Sequence, residues 1–233
     1  MKKILLIIAT HGDEKIGLEI IKRLEKQKNI DAVDCLVANP RALELGVRFT
    51  DFDLNRAYPG DKNSSLYEKR RAVEVLEMAR EYQYVIDLHE ASQGSDDFII
   101  LPRENRGNFP LELINLKTVL FWPDPRGPLG DILENAIELE FGMKNRNRVE
   151  VVARATEIVI DFITAVSSQG NIKAEKKDFY QVYGKLTESE KKIEPGQLID
   201  FTRTIIKGEE FYPLLTGQYL KDNILCYKMK KIS

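Results

Sequence analysis

Histidine is scarce in this chain, with two in 233 residues. Cysteine is as rare: Cys35 and Cys226 sit in separate apolar, strand-like runs. Two thiols build neither a disulfide framework nor a cysteine metal cluster, and they suit a reducing cytoplasm. Long hydrophobic runs are missing as well. The opening "MKKILLIIATHG" starts like a signal peptide, with two lysines and then apolar residues. Its apolar stretch, residues 4–9, is too short, however, and no small-x-small cleavage site follows. Nothing approaches the length that crosses a bilayer, so a cytoplasmic chain with no membrane partner is expected. An excess of basic charge is also lacking. Lys and Arg number 35 against 37 Asp and Glu, for a net charge of −2. A nucleic-acid partner needs a concentrated basic face, and none is indicated.

What is present is ordinary globular material, 43% apolar and 31% charged, enough to bury a sizeable core. The length fits one large domain, or one domain and a small module. Residues 3–9 read as a buried strand, short and continuously apolar. From about Glu14, the spacing Ile16, Ile20, Leu24 is helical, and Ile21 widens the same face. Residues 32–38 read as a second strand, so the chain opens βαβ with a parallel pair. An irregular segment, 39–64, is rich in turn residues, and loops of this length in compact domains are usually functional or disordered. The pair Ser65-x-x-Glu68 reads as a capping box for a helix running to about Tyr82. Strands are expected at 84–89, 98–102, 118–122 and 136–141, and a long helix at about 147–166. After "SSQGN" (167–171) the texture turns to short β-like runs. The expected architecture is therefore α/β, a largely parallel sheet flanked by helices over 1–169, with a small C-terminal β module over 170–233. In such sheets functional groups collect at the carboxyl ends of strands.

Both histidines fall at such ends. His11 follows the first strand and His89 closes "YVIDLH". Glu14 lies three residues past His11, where the strand turns into the helix, and Gly12 between them allows an unusual backbone angle. Two imidazoles and one carboxylate leave a fourth position open, the form of a catalytic zinc site. Taken alone, H-x-x-E is a common spacing, and a histidine at a strand end is more often a packed or surface residue.

Five pieces taken in order carry more. "THGDE" (10–14), "NPRA" (39–42), "RFTDFDLNR" (48–56), "VIDLH" (85–89) and "ELEFG" (138–142) together resemble the succinylglutamate desuccinylase/aspartoacylase family, which is related to the zinc carboxypeptidases. The resemblance implies one zinc ion per chain, held by His11, Glu14 and His89. It implies Glu140 as the catalytic glutamate and Arg48 as the arginine that polarises the scissile carbonyl. Asn55 and Arg56 would grip a substrate carboxylate, Asp53 would accept a hydrogen bond from His11, and Tyr219 aligns loosely with a substrate-site tyrosine. The implied activity is a zinc-dependent deacylase acting on an N-acyl amino acid or a related small carboxylate. A zinc carboxypeptidase acting on peptides, or a metal-binding relative without hydrolysis, are the alternatives. A homo-oligomer stays open.

The chemistry asks for these residue types independently. Zinc acidifies water and polarises a carbonyl, a carboxylate can take and return a proton, and an arginine beside an oxyanion stabilises it. Arginine also holds a carboxylate through two parallel hydrogen bonds, and a ligating histidine needs its other nitrogen tied down. Rivals exist for several roles. Glu138 lies on the same strand face as Glu140, and Asp87 could replace Asp53 behind a histidine. Arg41 could replace Arg48 or belong to a structural turn, and Tyr212 and Tyr227 make a core role for Tyr219 equally reasonable. Two departures from the family pattern stand out: Ala9 and Asp13 where the family often has glycine and asparagine. A further arginine that the aspartoacylase branch uses has only Arg126 as a counterpart, at a different offset from Glu140, so strict acyl-aspartate specificity is in doubt.

Overall fold

The first strand, β1 (Lys2–Ile8), is covered on both sides: Ile4, Leu6 and Ile8 pack into one core, Leu5 and Ile7 into another. That double burial is why its sequence is continuously apolar rather than alternating. The computed structural model of the protein describes residues 2–27, 33–91, 95–101, 109–123, 127–168, 176–187 and 198–232. Within them β1 lies between β2 (Val33–Val37) and β3 (Tyr82–Glu90), parallel to both. Next to β3 comes β6 (Ala136–Phe141), also parallel. The sheet then reverses, because β4 (Phe98–Leu101) runs antiparallel to β6. From there β5 (Thr118–Phe121) is parallel to β4, and β7 (Asp178–Thr187) is parallel to β5. Three antiparallel strands follow: β10 (Ile224–Lys231), β9 (Glu209–Leu214) and β8 (Thr204–Ile206). The order is β2-β1-β3-β6-β4-β5-β7-β10-β9-β8. The expected mixed, largely parallel sheet is present, and the C-terminal strands extend it. The boundary expected at residue 170 lies outside the described residues.

Helices cover both faces. On one, α1 (Ile16–Leu24) and the long α5 (Arg148–Ser168) bury Ile16, Ile20, Val152, Ile158 and Phe162 against β1, β3 and β6. On the other, α3 (Tyr67–Ala79) buries Ala72, Val75, Leu76 and Ala79. No helix among the described residues is long and apolar enough to cross a membrane.

The segment 39–64 is more ordered than its turn-rich sequence suggests. It contains α2 (Pro40–Leu45), which Asn39 caps through its side chain at the Ala42 N–H, and a 3-10 turn at Leu54–Arg56, which Asp53 caps in the same way. These caps satisfy N–H groups that a short helix leaves open. A four-residue helix, α4 (Leu129–Ile132), also escaped the periodicity reading, since one turn carries no period.

The expected capping box is not formed. Helix α3 begins after Leu66 with no side-chain cap, and it ends at Ala79 because β3 already starts at Tyr82. Glu68 instead points inward, fully buried, and accepts from the backbone N–H groups of Thr50, Asp51 and Phe52, the Thr50 hydroxyl and the Asn39 amide. Gly12 is needed for space rather than for an unusual angle. A Cβ there would lie 2.1 Å from the Ala42 carbonyl carbon. The left-handed residue of this turn is Ala9, at φ 52°, at the position where the family often carries glycine.

Candidate active site and metal centre

Three of the four parallel strands in the sheet's first half deliver a polar side chain at their carboxyl ends. His11 follows β1, His89 is the penultimate residue of β3, and Glu140 is the penultimate residue of β6, paired in register with His89. The turn after β1 brings Glu14 back over the strand ends, with its N–H bonded to the His11 carbonyl. Nδ1 of His11 lies 2.6 Å from one Glu14 oxygen and Nδ1 of His89 lies 3.0 Å from the other. The second oxygen also accepts the Glu90 N–H. One ligand atom from each of His11, Glu14 and His89 lies within 4.8 Å of the others.

The opposite ring edges are held from behind. Nε2 of His11 lies 3.1 Å from Asp53 Oδ1. Nε2 of His89 lies 3.2 Å from Asp87 Oδ2 but out of line for a hydrogen bond, while Asp87 receives the Thr10 hydroxyl on both oxygens. Both Nδ1 atoms thus face one carboxylate, and both Nε2 atoms face supporting aspartates. This donor set fits a divalent cation: two imidazole nitrogens and a carboxylate oxygen converge, each imidazole backed by an acid.

The charges are strongly coupled. Burial alone would lower the His11 and His89 imidazoles, but facing carboxylates outweigh it. Glu14 and Asp53 raise His11, and Asp87 and Glu14 lift His89 well above its ordinary value. Burial would raise Glu14 and Asp53, yet the histidines, joined at Asp53 by Arg48 and Arg56, hold both well below the usual carboxylate range. Glu140 goes the other way: burial, aided by Glu14 and Glu138, pushes it up to about 7. Glu138 is also raised, by burial and by Asp87.

Of these groups, His11, Glu14, Glu138 and Glu140 line one cleft of about 610 Å³ open to solvent. Its polar wall holds His11, Glu14, Arg48, Asn55, Arg56 and Glu140. Arg48 reaches 3.5 Å from both Glu14 and Asp53. Asn55 is buried with its Oδ1 unpaired, and Arg56 donates to the Asn55 carbonyl. Tyr219 lines the cleft from the C-terminal strands, its edge against Tyr227. The nine sequence-derived site residues are therefore brought together, with Asp53 behind His11. Of the rivals, Glu138 also lines the cleft, whereas Arg41 stacks on Tyr67 and does not. Tyr212 packs on Tyr180 and Tyr227 on Trp122, both half-buried against an apolar cluster and neither lining the cleft. Arg126 lies outside the described residues.

Sequence reasoning missed the other wall, which includes Ile100, Trp122 and Leu215, and it missed Glu90, held by Arg148 at 2.5 Å. A usable signal existed for one of these. Trp122 is the chain's single tryptophan and stands at the end of a strand.

Comparisons with known proteins bear on the family and the fold. The sequence model of the succinylglutamate desuccinylase/aspartoacylase catalytic domain matches residues 1–117. A Xenopus laevis protein named N-acyl-aromatic-L-amino acid amidohydrolase (carboxylate-forming) is 27% identical over 272 residues, covering 100% of this chain and 87% of the relative. The succinylglutamate desuccinylase of Pseudomonas putida is 27% identical over 229 residues, covering 91% and 66%. Among solved structures, the succinylglutamate desuccinylase of Chromobacterium violaceum shares the fold with a TM-score of 0.77 at 19% identity, covering 100% of this chain and 85% of that one. The matching sequence model, the shared fold and the strand-end cluster lead to one conclusion: the chain belongs to the succinylglutamate desuccinylase/aspartoacylase family.

Proposed function

We propose that the protein is a zinc-dependent amidohydrolase that cleaves the amide of a small N-acyl amino acid. The observation that carries this reading is the convergence of His11, Glu14 and His89 next to Glu140, in a cleft that also presents Arg48 and Arg56. The relatives' names, amidohydrolase and desuccinylase, support the same reaction class. Zinc bound by His11, Glu14 and His89 would supply a Lewis acid for the carbonyl and for water.

The chain's own groups do the rest. Glu140, a carboxylate beside the three metal-binding groups, takes a proton from the attacking water and returns it to the leaving nitrogen. Arg48 faces the developing oxyanion, where loss of one donor typically costs about 10²–10³ in rate. Arg56 and Asn55 hold the substrate carboxylate, which sets the direction of the amide. Asp53 fixes the ring of His11. Residues 170–233 serve as a module capping the site, because Leu215, Gln218 and Tyr219 close one side of the cleft. That closure favours a small substrate over the peptide of a carboxypeptidase.

Elemental analysis of protein purified without added metal tests the first half, with about one zinc per chain expected. Full occupancy in a His11→Ala, His89→Ala double variant would remove the site. Release of free amino acid from an N-acyl panel tests the second half.

A further inference from the structure

The cleft has two unlike walls, one polar and one apolar. Glu140 and Glu138 lie two residues apart on β6, so they share a face. The register partner of Glu138 on β4 is Ile100, and side chains directly opposite in an antiparallel pair project from the same face. Beyond Ile100, the Trp122 N–H bonds to the Leu101 carbonyl as the chain leaves β5. Moving from Glu140 past Glu138, the lining therefore changes from carboxylate to Ile100 and then to Trp122. Leu215 and Tyr219 face the same space from the C-terminal strands.

This wall is built rather than incidental. Ile100, Leu215, Trp122 and Tyr219 belong to one apolar cluster that joins β4 and β5 to the C-terminal strands. Trp122 rests edge-on against Tyr227 at 4.7 Å, and Tyr219 rests on the same ring at 5.7 Å. Aromatic contacts of this kind hold both rings in place.

Charge points the same way. Among the described residues lining the cleft, the cations are Arg48 and Arg56. With Arg48 at the carbonyl and Arg56 at one carboxylate, a second substrate carboxylate would meet Ile100, Trp122 and the acidic Glu138. An anion desolvated without a partner is strongly disfavoured. Glu138 and Asn55 line the same cleft as Ile100 and Trp122. The apolar wall and the carboxylate grip thus belong to one cleft.

We propose that the amino acid released by this site carries a single carboxylate and an apolar side chain, which packs against Ile100, Trp122 and Leu215. This rests on the amidohydrolase reading above. Acyl-aspartate and succinylglutamate, with their extra carboxylates, are poor substrates.

The experiment compares kcat/KM of the zinc-loaded protein for N-acetyl-phenylalanine, N-acetyl-leucine, N-acetyl-alanine, N-acetyl-aspartate and N-succinyl-glutamate. The two large apolar substrates should exceed N-acetyl-alanine by about 10-fold to 100-fold, mostly through KM. They should exceed both acidic substrates by at least as much. Trp122→Ala should narrow the phenylalanine-to-alanine ratio about tenfold. Calorimetry on zinc-loaded Glu140→Gln protein gives a readout that needs no turnover, and N-acetyl-phenylalanine should bind tighter than N-acetyl-aspartate. Equal or faster cleavage of an acidic substrate would overturn the inference while leaving the amidohydrolase standing, and its loss in Arg126→Ala would name the missing cation. If no substrate is cleaved, the amidohydrolase reading fails and takes the inference with it. Tighter binding of N-acetyl-aspartate in calorimetry overturns the inference by itself.

Discussion

Glu140 and Glu138 share a strand face and a low-dielectric setting, but their neighbours differ. Glu140 is partly exposed and in register with His89, while Glu138 is buried and in register with Asp87 and Ile100. Glu140→Gln keeps the shape and removes the proton acceptor. kcat is expected to fall by about 10²–10⁴ with metal content unchanged. Glu138→Gln should lose less than tenfold, and the reverse pattern would move the assignment by two residues. The sign with pH follows from the base needing its charge. Burial raises Glu140 to about 7, and a cation held by His11, Glu14 and His89 would lower it again. kcat/KM should therefore rise with pH through an apparent pKa no higher than about 7. A pH–rate profile that kept this limb in Glu140→Gln would assign it to another group. The placement of these groups at strand ends was legible in the sequence, because strand-like runs that stop at or beside His11, His89 and Glu140 mark where strands close. Gly142, just after β6, is fixed by contact, since a Cβ there would lie 1.9 Å from the Ser95 carbonyl oxygen.

The segment carrying Arg48, Asp53, Asn55 and Arg56 belongs to no strand or long helix, and besides its local caps one carboxylate ties it together. Glu68 on α3 gathers donors from Asn39, Thr50, Asp51 and Phe52 in a fully buried position. Sequence alone assigned Glu68 to a helix cap, because Ser-x-x-Glu before a helical run is the usual signature. A partner 18 residues upstream, at Thr50, leaves no local trace. Glu68→Ala would leave several part-buried donors without their acceptor, each costing up to about 1–3 kcal/mol. A loss of roughly 3 kcal/mol or more is expected in chemical denaturation, with activity falling before stability fails. Burial would raise the Glu68 carboxyl, but its bonds to Thr50 and Asp51 hold it below the ordinary value. Its stabilisation is thus present above about 4.5 and fades as pH falls through the lower folded value. In Glu68→Gln, acid unfolding should lose part of its steepness in that range. Unchanged stability in Glu68→Ala would mean that α2 and the 3-10 turn hold the segment without it.

At the scale of the whole molecule, the change in sequence texture after residue 170 suggests a separate module, and the sheet shows how closely it is joined. Strand β5 pairs with β7 through Thr118–Asp178 to Phe121–Gln181, and Phe121 stacks on Phe179 at 5.8 Å. Phe98, Ile100 and Leu120 from the first part share a core with Val182, Leu214 and Met229 from the second. Asp200 adds a buried polar tie. It receives the Ser95 hydroxyl from across the boundary, the Leu215 and Thr216 N–H groups and the Thr216 hydroxyl, which fixes the start of the loop that leads to Tyr219. Composition and period report which residues are apolar, but not that two apolar sets meet. For that reason the elements were legible in the sequence while their union was not. A chain cut after residue 169 would uncover the edge of β5 along with Phe98, Ile100 and Leu120, all buried in the whole protein. An unpaired apolar edge invites association with other chains, and burial of three such side chains stabilises by about 1.5–3 kcal/mol each. That sum is comparable to the net stability of many domains. The truncated chain should therefore aggregate, or unfold without a sharp transition, and the full chain should unfold in one step reported alike by Trp122 fluorescence and by circular dichroism. A soluble 1–169 fragment that melted cooperatively and bound zinc would show that the first part folds alone, and that the C-terminal strands only cover a finished site.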